Sequence, residues 1–504
     1  MSSLAEASVS KPVRVVIVGG GISGLAFAER WKALCREFSR PCNITLLESR
    51  PRLGGMIHTR RENGLLMEEG PESFLTEKPW AYDLSRRLGL ESDLLPTRSE
   101  HRRSFVVSRG RLCQVPEGFY MLAPARIPQF LASGLLSWRA KIRTLAELLI
   151  PPRRETGDES VASFVRRRFG SEVLDRVAQA MIGGIYSADP EQLSLLATFP
   201  KFAALEQEYG SVIRGLRHLQ AQTANASGPR YGLFMTFRSG MDTLVTALEK
   251  HLARERILTG KAVSFLDWNQ EWKFRLTSGE LLEADVLCLA VPAAEAARLL
   301  APVDNALSVM VSSIPAESAV TVNLAYEEEP SFSRTPGFGF VVPSQEKLPI
   351  LGCTFSSYKY EGRAPSGYFL LRVFFGEQGL EGIDAADDAA VADLAHRQLV
   401  PLLGLCGRPS KICVSRFPGG MPQYRVGHRD KVMKIQRLSE KLPGLGLCSN
   451  SYDGIGIPDC VRRSGEEAVR LFHTQAGLLS GEVHPGHRIL KNKERNSASA
   501  QSSE

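Results

Sequence analysis

The residues with the plainest chemical purpose are three glycines. Val13–Val18 is a short apolar run that opens onto Gly19-x-Gly21-x-x-Gly24, and the helical pattern Leu25–Trp31 follows. In such a strand–turn–helix the first glycine permits the tight turn, the second lets a phosphate reach the backbone, and the third lets the helix pack close to the sheet. The start of the helix then offers unpaired N–H groups and a positive dipole end to a pyrophosphate. A second β-rich run, Asn43–Leu47, ends in Glu48, 24 residues past Gly24. An acid at an offset of about 20 residues grips a ribose hydroxyl in dinucleotide sites. The spacing therefore predicts a dinucleotide held by Gly19, Gly21, Gly24 and Glu48.

Two further turns enlarge that site. Arg52-Leu53-Gly54-Gly55 follows the acid and places Arg52 to face a phosphate, and Gly64–Phe74 reads as a strand followed by the Gly70-Pro71 turn. A simple nicotinamide domain needs neither. A larger dinucleotide, with its reactive ring far from its adenosine, has more to be held. Near the other end of the chain, Gly444–Cys460 reads as a strand, a glycine-rich turn and a helix from about Pro458 to Phe472. That second helix start, flanked by small residues, is suited to a cofactor ring. A helix carrying Leu244, Val245 and Leu248, with the buried-looking strand Ala284–Pro292, would complete the same nucleotide domain.

Composition narrows the class. At 504 residues the chain should hold two or three cores. Its hydrophobic content of 43% and charged content of 23% are ordinary for a globular protein. A net charge of +7 suits an anionic ligand or an acidic lipid surface, and no basic stripe interleaved with aromatics points to nucleic acid. Nine cysteines without a Cys-x-x-Cys argue for thiols in a reducing compartment, with neither a disulfide frame nor a zinc site. His484-x-x-His487 is the one close histidine pair and sits beside the polar tail, so no metal is expected. The start of the chain lacks the apolar core of a secretory signal, and no run reaches the roughly 18 apolar residues of a spanning helix. The expected location is the cytoplasm, or the inner face of a membrane as a peripheral protein.

Between the two nucleotide-binding ends the patterns change. A helix is expected over about Lys78–Leu90, then a basic patch, His101-Arg102-Arg103, before the strand Phe105–Val107. Residues 117–150 mix Phe119, Tyr120, Phe130, Leu135 and Trp138 with Arg126, Arg139, Lys141 and Arg143. Ordinary helical packing is the first reading of that pattern; a surface in the headgroup region of an acidic bilayer is the second. Helices over Glu159–Phe169 and Ser171–Met181 precede Gly183-Gly184, where backbone could approach a flat ligand or simply stop the helix. Arg166-Arg167-Arg168 reads as a solvated face, and 221–230 as a loop. Alternating patterns over 309–380 suggest a sheet carrying a substrate cavity, backed by a helix over Asp384–Val400 that stops at Pro401.

Taken together, the separated pieces resemble the oxygen-dependent protoporphyrinogen oxidase family, FAD enzymes related in fold to monoamine oxidases. The matching stretches are Val18–Leu25, Glu48 with Arg52–Gly55, Glu69-Gly70-Pro71, Gly184-Ile185-Tyr186 with Asp189-Pro190 and Leu193-Ser194, Gly337-Phe338-Gly339 with Val342-Pro343-Ser344, and Tyr452–Cys460. The resemblance implies an α/β fold: a Rossmann-like FAD-binding domain, an α+β mixed-sheet substrate domain, and a helical, membrane-associating domain. It assigns residues 12–92, 237–296 and 441–477 to the first, 209–236 and 297–440 to the second, and 93–208 to the third, with disordered tails at 1–11 and 490–504.

One non-covalent FAD would lie at Gly19, Gly20, Gly21, Ile22, Ser23, Gly24, Glu48, Arg52, Gly55, Met56, Gly70, Pro71, Glu72, Ser73, Val263, Asn450, Ile455, Gly456 and Ile457. The substrate, a porphyrinogen, would meet Gly184, Val341, Thr354 and Phe374, with Phe374 stacking on a pyrrole. A propionate would pair with Arg103 or Arg102, since alignment on Gly110 drops the family arginine onto Ser104. The implied reaction oxidises protoporphyrinogen IX, or coproporphyrinogen III by the same chemistry, by hydride loss to the flavin, without a catalytic side chain. Oxygen, an acidic membrane surface and a second copy of the chain are the other expected partners. An amine oxidase or desaturase of the same fold is the nearest rival, although Tyr452 has no evident aromatic partner to complete the cage an amine would need. A flavin-binding protein without turnover is the rival from another class.

Overall fold

The structure is a computed structural model and describes residues 11–155, 157–223, 234–327, 336–379 and 386–480. The expected tails, save Lys11, residues 224–230 of the expected loop and the His484/His487 pair lie outside the described residues, and residues 221–223, expected in that loop, instead end the helix Val212–Thr223.

The organising strand, β1 (Val13–Val18), turns into helix α1 (Ile22–Glu37), and β2 (Cys42–Leu47) returns beside it. β1 pairs in parallel on both sides, Val15 opposite Ile44 of β2 and opposite Val286 of the strand Val286–Leu289. Arg256–Leu258 and Leu445–Leu447 complete a five-stranded parallel sheet. Helices cover one face, and a meander with helices covers the other, so from Val15 to Val18 β1 is an unbroken β-branched run without polar alternation. Val15 and Ile17 pack towards α1 and the long helix Ile457–Ser480, where Trp31 meets the edge of Phe472 at 5.5 Å. Val16 and Val18 pack towards the antiparallel meander Val263–Asn269, Glu271–Leu276 and Leu281–Ala284.

A seven-stranded sheet forms the second layer. Its long strands are Lys411–Pro422, Ala316–Tyr326 and Phe369–Gly376, paired antiparallel. Val320, Val322, Leu371, Val373 and Phe375 face the helix Asp388–Leu403 on one side. Period-two alternation sends Thr321, Asn323, Arg372 and Phe374 to the other. Ser104–Ser108 and Arg111–Gln114 close the sheet's edge, although they fall inside the 93–208 segment expected to be helical. The remainder of that segment is chiefly helical, with a core of Phe130, Phe164, Phe169 and Phe202.

Four local expectations need correction. The helix expected to stop at Pro401 runs through it to Leu403 and ends at Gly404, φ +59. Pro401 sits in the last turn, where it removes a single backbone bond without ending the helix. Gly183 and Gly184 lie inside the helix Gln179–Tyr186 and do not follow it. The C-terminal helix extends to Ser480. Arg168, expected on a solvated face, is fully buried and ion-paired with the equally buried Glu147.

Candidate active site

The cradle is built from backbone. Gly19 has φ +110, and a Cβ there would lie 2.4 Å from the Ala290 carbonyl oxygen. A Cβ on Gly24 would lie 1.9 Å from the Gly19 carbonyl oxygen, so only glycine lets α1 sit this close to the turn. Gly54 N–H donates to the Gly20 carbonyl at 2.8 Å, which locks the second glycine turn against the first. The first turn of α1 carries no acidic residue, and Gly21 caps it without a side-chain bond, so its N–H groups and dipole stay uncompensated. Glu48 accepts the Gly20 N–H at 2.8 Å on one oxygen and the Arg50 N–H at 2.8 Å on the other. Those two bonds fix the carboxylate and leave acceptor capacity for a hydroxyl.

The far end of the chain closes over this cradle. Gly454, φ +91, leaves room for Asp459, whose carboxylate carbon would lie 2.4 Å from a Cβ placed there. Asp459 in turn holds Lys78. Tyr424 donates to the Asn450 carbonyl and stacks on His428 at 4.0 Å and 15°. His428 Nε2 lies 2.8 Å from the Tyr452 carbonyl, and burial pushes its pKa below the ordinary imidazole value, which favours the neutral ring donating to that oxygen. Cys460 is buried and its thiol is pushed up to about 12 by desolvation, so it is no thiolate nucleophile.

These pieces line one cavity of about 1230 Å³. The volume exceeds the 300–1,000 Å³ of usual small-molecule sites, as a dinucleotide with a second flat ligand requires. Of the predicted cofactor residues, Gly19, Gly21, Ile22, Ser23, Glu48, Gly55, Met56, Gly70, Pro71, Ser73, Val263, Asn450, Ile455, Gly456 and Ile457 line it. Gly20 and Gly24 stand behind the lining as supports. Arg52 turns away, donating to the Leu53 and Ile57 carbonyls. Of the predicted substrate residues, Gly184 and Phe374 line the cavity, beside Leu196, Phe234 and Leu351.

The remaining predicted residues are placed elsewhere. Arg102 and Arg103 are exposed and outside the lining. Gly339–Val341 pairs in parallel with Ser104–Ser108, and the Arg103 carbonyl accepts from Phe338 N–H, which holds this segment at the sheet's edge. Val341 packs behind Gly184, 3.2 Å from where that residue's Cβ would be. Thr354 pairs with Arg372 across the strands without reaching the cavity. Glu72 is buried in an ion pair with Lys359 at 2.9 Å. Burial opposes its ionisation, but the charges of Lys359 and Arg372 hold its pKa at about 2.

Arg372 is one of the lining residues that sequence reasoning missed, with Leu196, Phe234, Leu351, Tyr424 and His428. Three side chains from this sheet face reach three successive carbonyls of the cofactor turn. Asn323 donates to Glu68 at 3.0 Å, Thr321 to Glu69 at 2.6 Å, and Arg372 to Gly70. The guanidinium carbon lies 4.8 Å from the Phe374 ring centre. The available signal was period: an arginine two positions before Phe374 in an otherwise apolar strand must share its face.

A parallel βαβ cradle with an acid at the second strand, closed by a distant glycine turn and helix, defines a flavoprotein oxidoreductase with a mixed-sheet substrate layer. The comparisons agree. The family described as flavin containing amine oxidoreductase matches residues 22–471. The chain is 33% identical over 461 residues to a coproporphyrinogen III oxidase of Bacillus subtilis, covering 90% of this chain and 97% of the relative. It is 32% identical over 493 residues to a protoporphyrinogen oxidase of Bos taurus, covering 92% and 98%. A crystal structure from Exiguobacterium sp. 255-15, provisionally named a protoporphyrinogen oxidase, superimposes with a TM-score of 0.81 at 28% identity, covering 93% of this chain and 99% of that one. The chain belongs to the porphyrinogen oxidase branch of the flavin containing amine oxidoreductases, and its cofactor is FAD. No helix among the described residues is long and apolar enough to cross a membrane.

Proposed function

We propose that the protein oxidises protoporphyrinogen IX to protoporphyrin IX with release of hydrogen peroxide, as a step in tetrapyrrole synthesis. The observation that carries this reading is the single cavity in which the dinucleotide cradle runs on into the apolar wall of Leu196, Phe234, Leu351 and Phe374. FAD held at the Gly19–Gly24 cradle would supply a two-electron acceptor that dioxygen can reoxidise. The chain's own part is to hold the flavin ring and the macrocycle in contact and to exclude water. The apolar side chains of Leu196, Phe234 and Leu351 and the close helix backbone at Gly183-Gly184 suit a macrocycle face, while Phe374 suits a pyrrole. Purified yellow protein mixed in air with protoporphyrinogen should develop porphyrin fluorescence far faster than the spontaneous reaction. A rate no greater than the blank would overturn the reading.

Coproporphyrinogen III is the second reading. It is favoured by the name of the Bacillus subtilis relative, at 33% identity. Parallel assays with both porphyrinogens decide between them through kcat/KM. The helix Trp138–Leu145 and the turn after it leave Trp138 66%, Ile142 67% and Leu149 84% exposed, and Lys141 lies 4.4 Å over the Trp138 ring. Exposed Trp138, Ile142 and Leu149 with exposed Arg139 suit an acidic bilayer surface, while Lys141 is buried with its ammonium on the Leu131 carbonyl and Arg143 donates to the carbonyls of Arg166, Arg167 and Arg168. Flotation with anionic but not neutral liposomes would support peripheral attachment, and flotation with neither would remove it. Sedimentation tests the homodimer.

A further inference from the structure

Arg372 is 4% exposed yet lines the cavity. One of its terminal nitrogens reaches the Gly70 carbonyl, while its Nε has no partner. Among the described residues no carboxylate forms an ion pair with it. The nearby acids are engaged elsewhere: Glu72 with Lys359 and Ser356, and Glu68 with the Met241 N–H and the Thr59 hydroxyl. Burial costs this guanidinium its hydration, the charges of Glu72 and Glu68 offset part of that without touching it, and an incoming anion would add the direct partner it lacks.

Its setting matches one anion in particular. Phe374 lies beside it on the same strand face and also lines the cavity, so a ring stacked there would bring its acidic substituents near the guanidinium. Two other cations of the lining are already paired, Lys78 with Asp459 and Arg462 with Asp453 and Glu466. Arg102 and Arg103 are outside the cavity.

We propose that Arg372 is the residue that binds a propionate carboxylate of the substrate, and that it sets the preference for the free acid over a neutral macrocycle. The inference rests on the porphyrinogen reading above. Arg372 forms charge-assisted bonds to the carboxylate with its unspent N–H groups, and its bond to Gly70 ties substrate occupancy to the cofactor turn.

The test compares each porphyrinogen with its fully methyl-esterified form, in the wild type and in Arg372→Gln and Arg372→Lys. Arg372→Gln should raise KM for the free acid by about 10- to 100-fold, the range for a lost charge-assisted bond, and move KM for the ester by less than about twofold. Arg372→Lys should fall between. A merely structural role would raise both values together, and that result, or no change in either, overturns the proposal. For a variant that loses turnover, quenching of porphyrin fluorescence on binding gives the same comparison of acid with ester. If the wild type oxidises neither porphyrinogen, the functional reading fails first and takes this inference with it. If the wild type is active and the acid–ester difference survives in Arg372→Gln, only this inference fails.

Discussion

The ammonium of Lys78 lies 2.8 and 2.6 Å from the two carboxylate oxygens of Asp459, 381 residues further along the chain. The pair joins the segment after the Gly70-Pro71 turn to the first turn of the helix Ile457–Ser480, and both residues line the cavity. Asp459 is nearly buried while Lys78 is about half exposed, so the bond is partly screened. Asp459→Asn should lower stability by about 1 kcal/mol, and a double-mutant cycle with Lys78→Met should return a coupling energy of the same order. Denaturant unfolding of the four proteins reads it. Strict additivity would show that the two ends are joined by other contacts.

The glycine cradle makes a sharper prediction. Because a Cβ on Gly24 would meet the Gly19 carbonyl oxygen at 1.9 Å, Gly24→Ala must push α1 away from the turn. The expected outcome is a folded protein with at least about tenfold weaker flavin retention, since the N–H groups of the helix start no longer converge on the pyrophosphate. Flavin absorbance against protein concentration after gel filtration measures it.

Glu147 and Arg168 test the core of the helical region. Glu147 also accepts from the Ser211 hydroxyl and the Val212 N–H, so its loss leaves the buried guanidinium only the more distant Glu206, at 3.5 Å, and uncaps the helix Val212–Thr223. Glu147→Ala should cost about 3–5 kcal/mol, as for other broken buried pairs. Flavin content per folded molecule should be unchanged, because neither residue lines the cavity. Thermal unfolding with a flavin assay on the folded fraction checks both halves.

Glu68 gives stability a pH dependence. Burial raises its pKa from 4.5 to about 7, despite bonds from the Met241 N–H and the Thr59 hydroxyl. A raised folded-state pKa means that the native state holds the proton more tightly than the unfolded chain. Its stabilising contribution is full below the unfolded value and is lost as pH rises through the folded one. Glu68→Gln should therefore gain on the wild type, in unfolding free energy, as pH goes from about 5 to about 8, by an amount on the order of 3 kcal/mol. Glu72 acts in the opposite sense: its pKa of about 2 gives stability above the unfolded value that disappears as pH falls towards 2. Melting curves of both proteins across the range decide it.

The legible parts of the chain were those governed by local rules. Gly19 and Gly24 follow from backbone sterics, and Glu48 from the Gly20 and Arg50 N–H groups it accepts from at the cradle, and such constraints leave fixed residue types at fixed spacings. Val15–Val18 is buried on both faces and reads as a continuous apolar run for that reason. Residues whose role depends on distant strand pairing were not legible. The family resemblance made Arg103 or Arg102 the substrate's counter-charge, but the pairing of Ser104–Ser108 with Gly339–Val341 leaves both outside the cavity. Arg372 lay in an apolar strand and gained its place only from the register that sets it opposite Asn323, above the Gly70 turn. Arg168 looked solvated within an arginine run, because the carboxylate that buries it, Glu147, comes from another helix.

Anaerobic mixing tests the central claim most directly. The purified holoprotein, titrated under nitrogen with protoporphyrinogen or coproporphyrinogen, should lose its oxidised-flavin absorbance in proportion to substrate added. Admission of air should restore that absorbance as porphyrin fluorescence and peroxide appear. An oxidised spectrum that persists with both porphyrinogens present in excess would contradict the account.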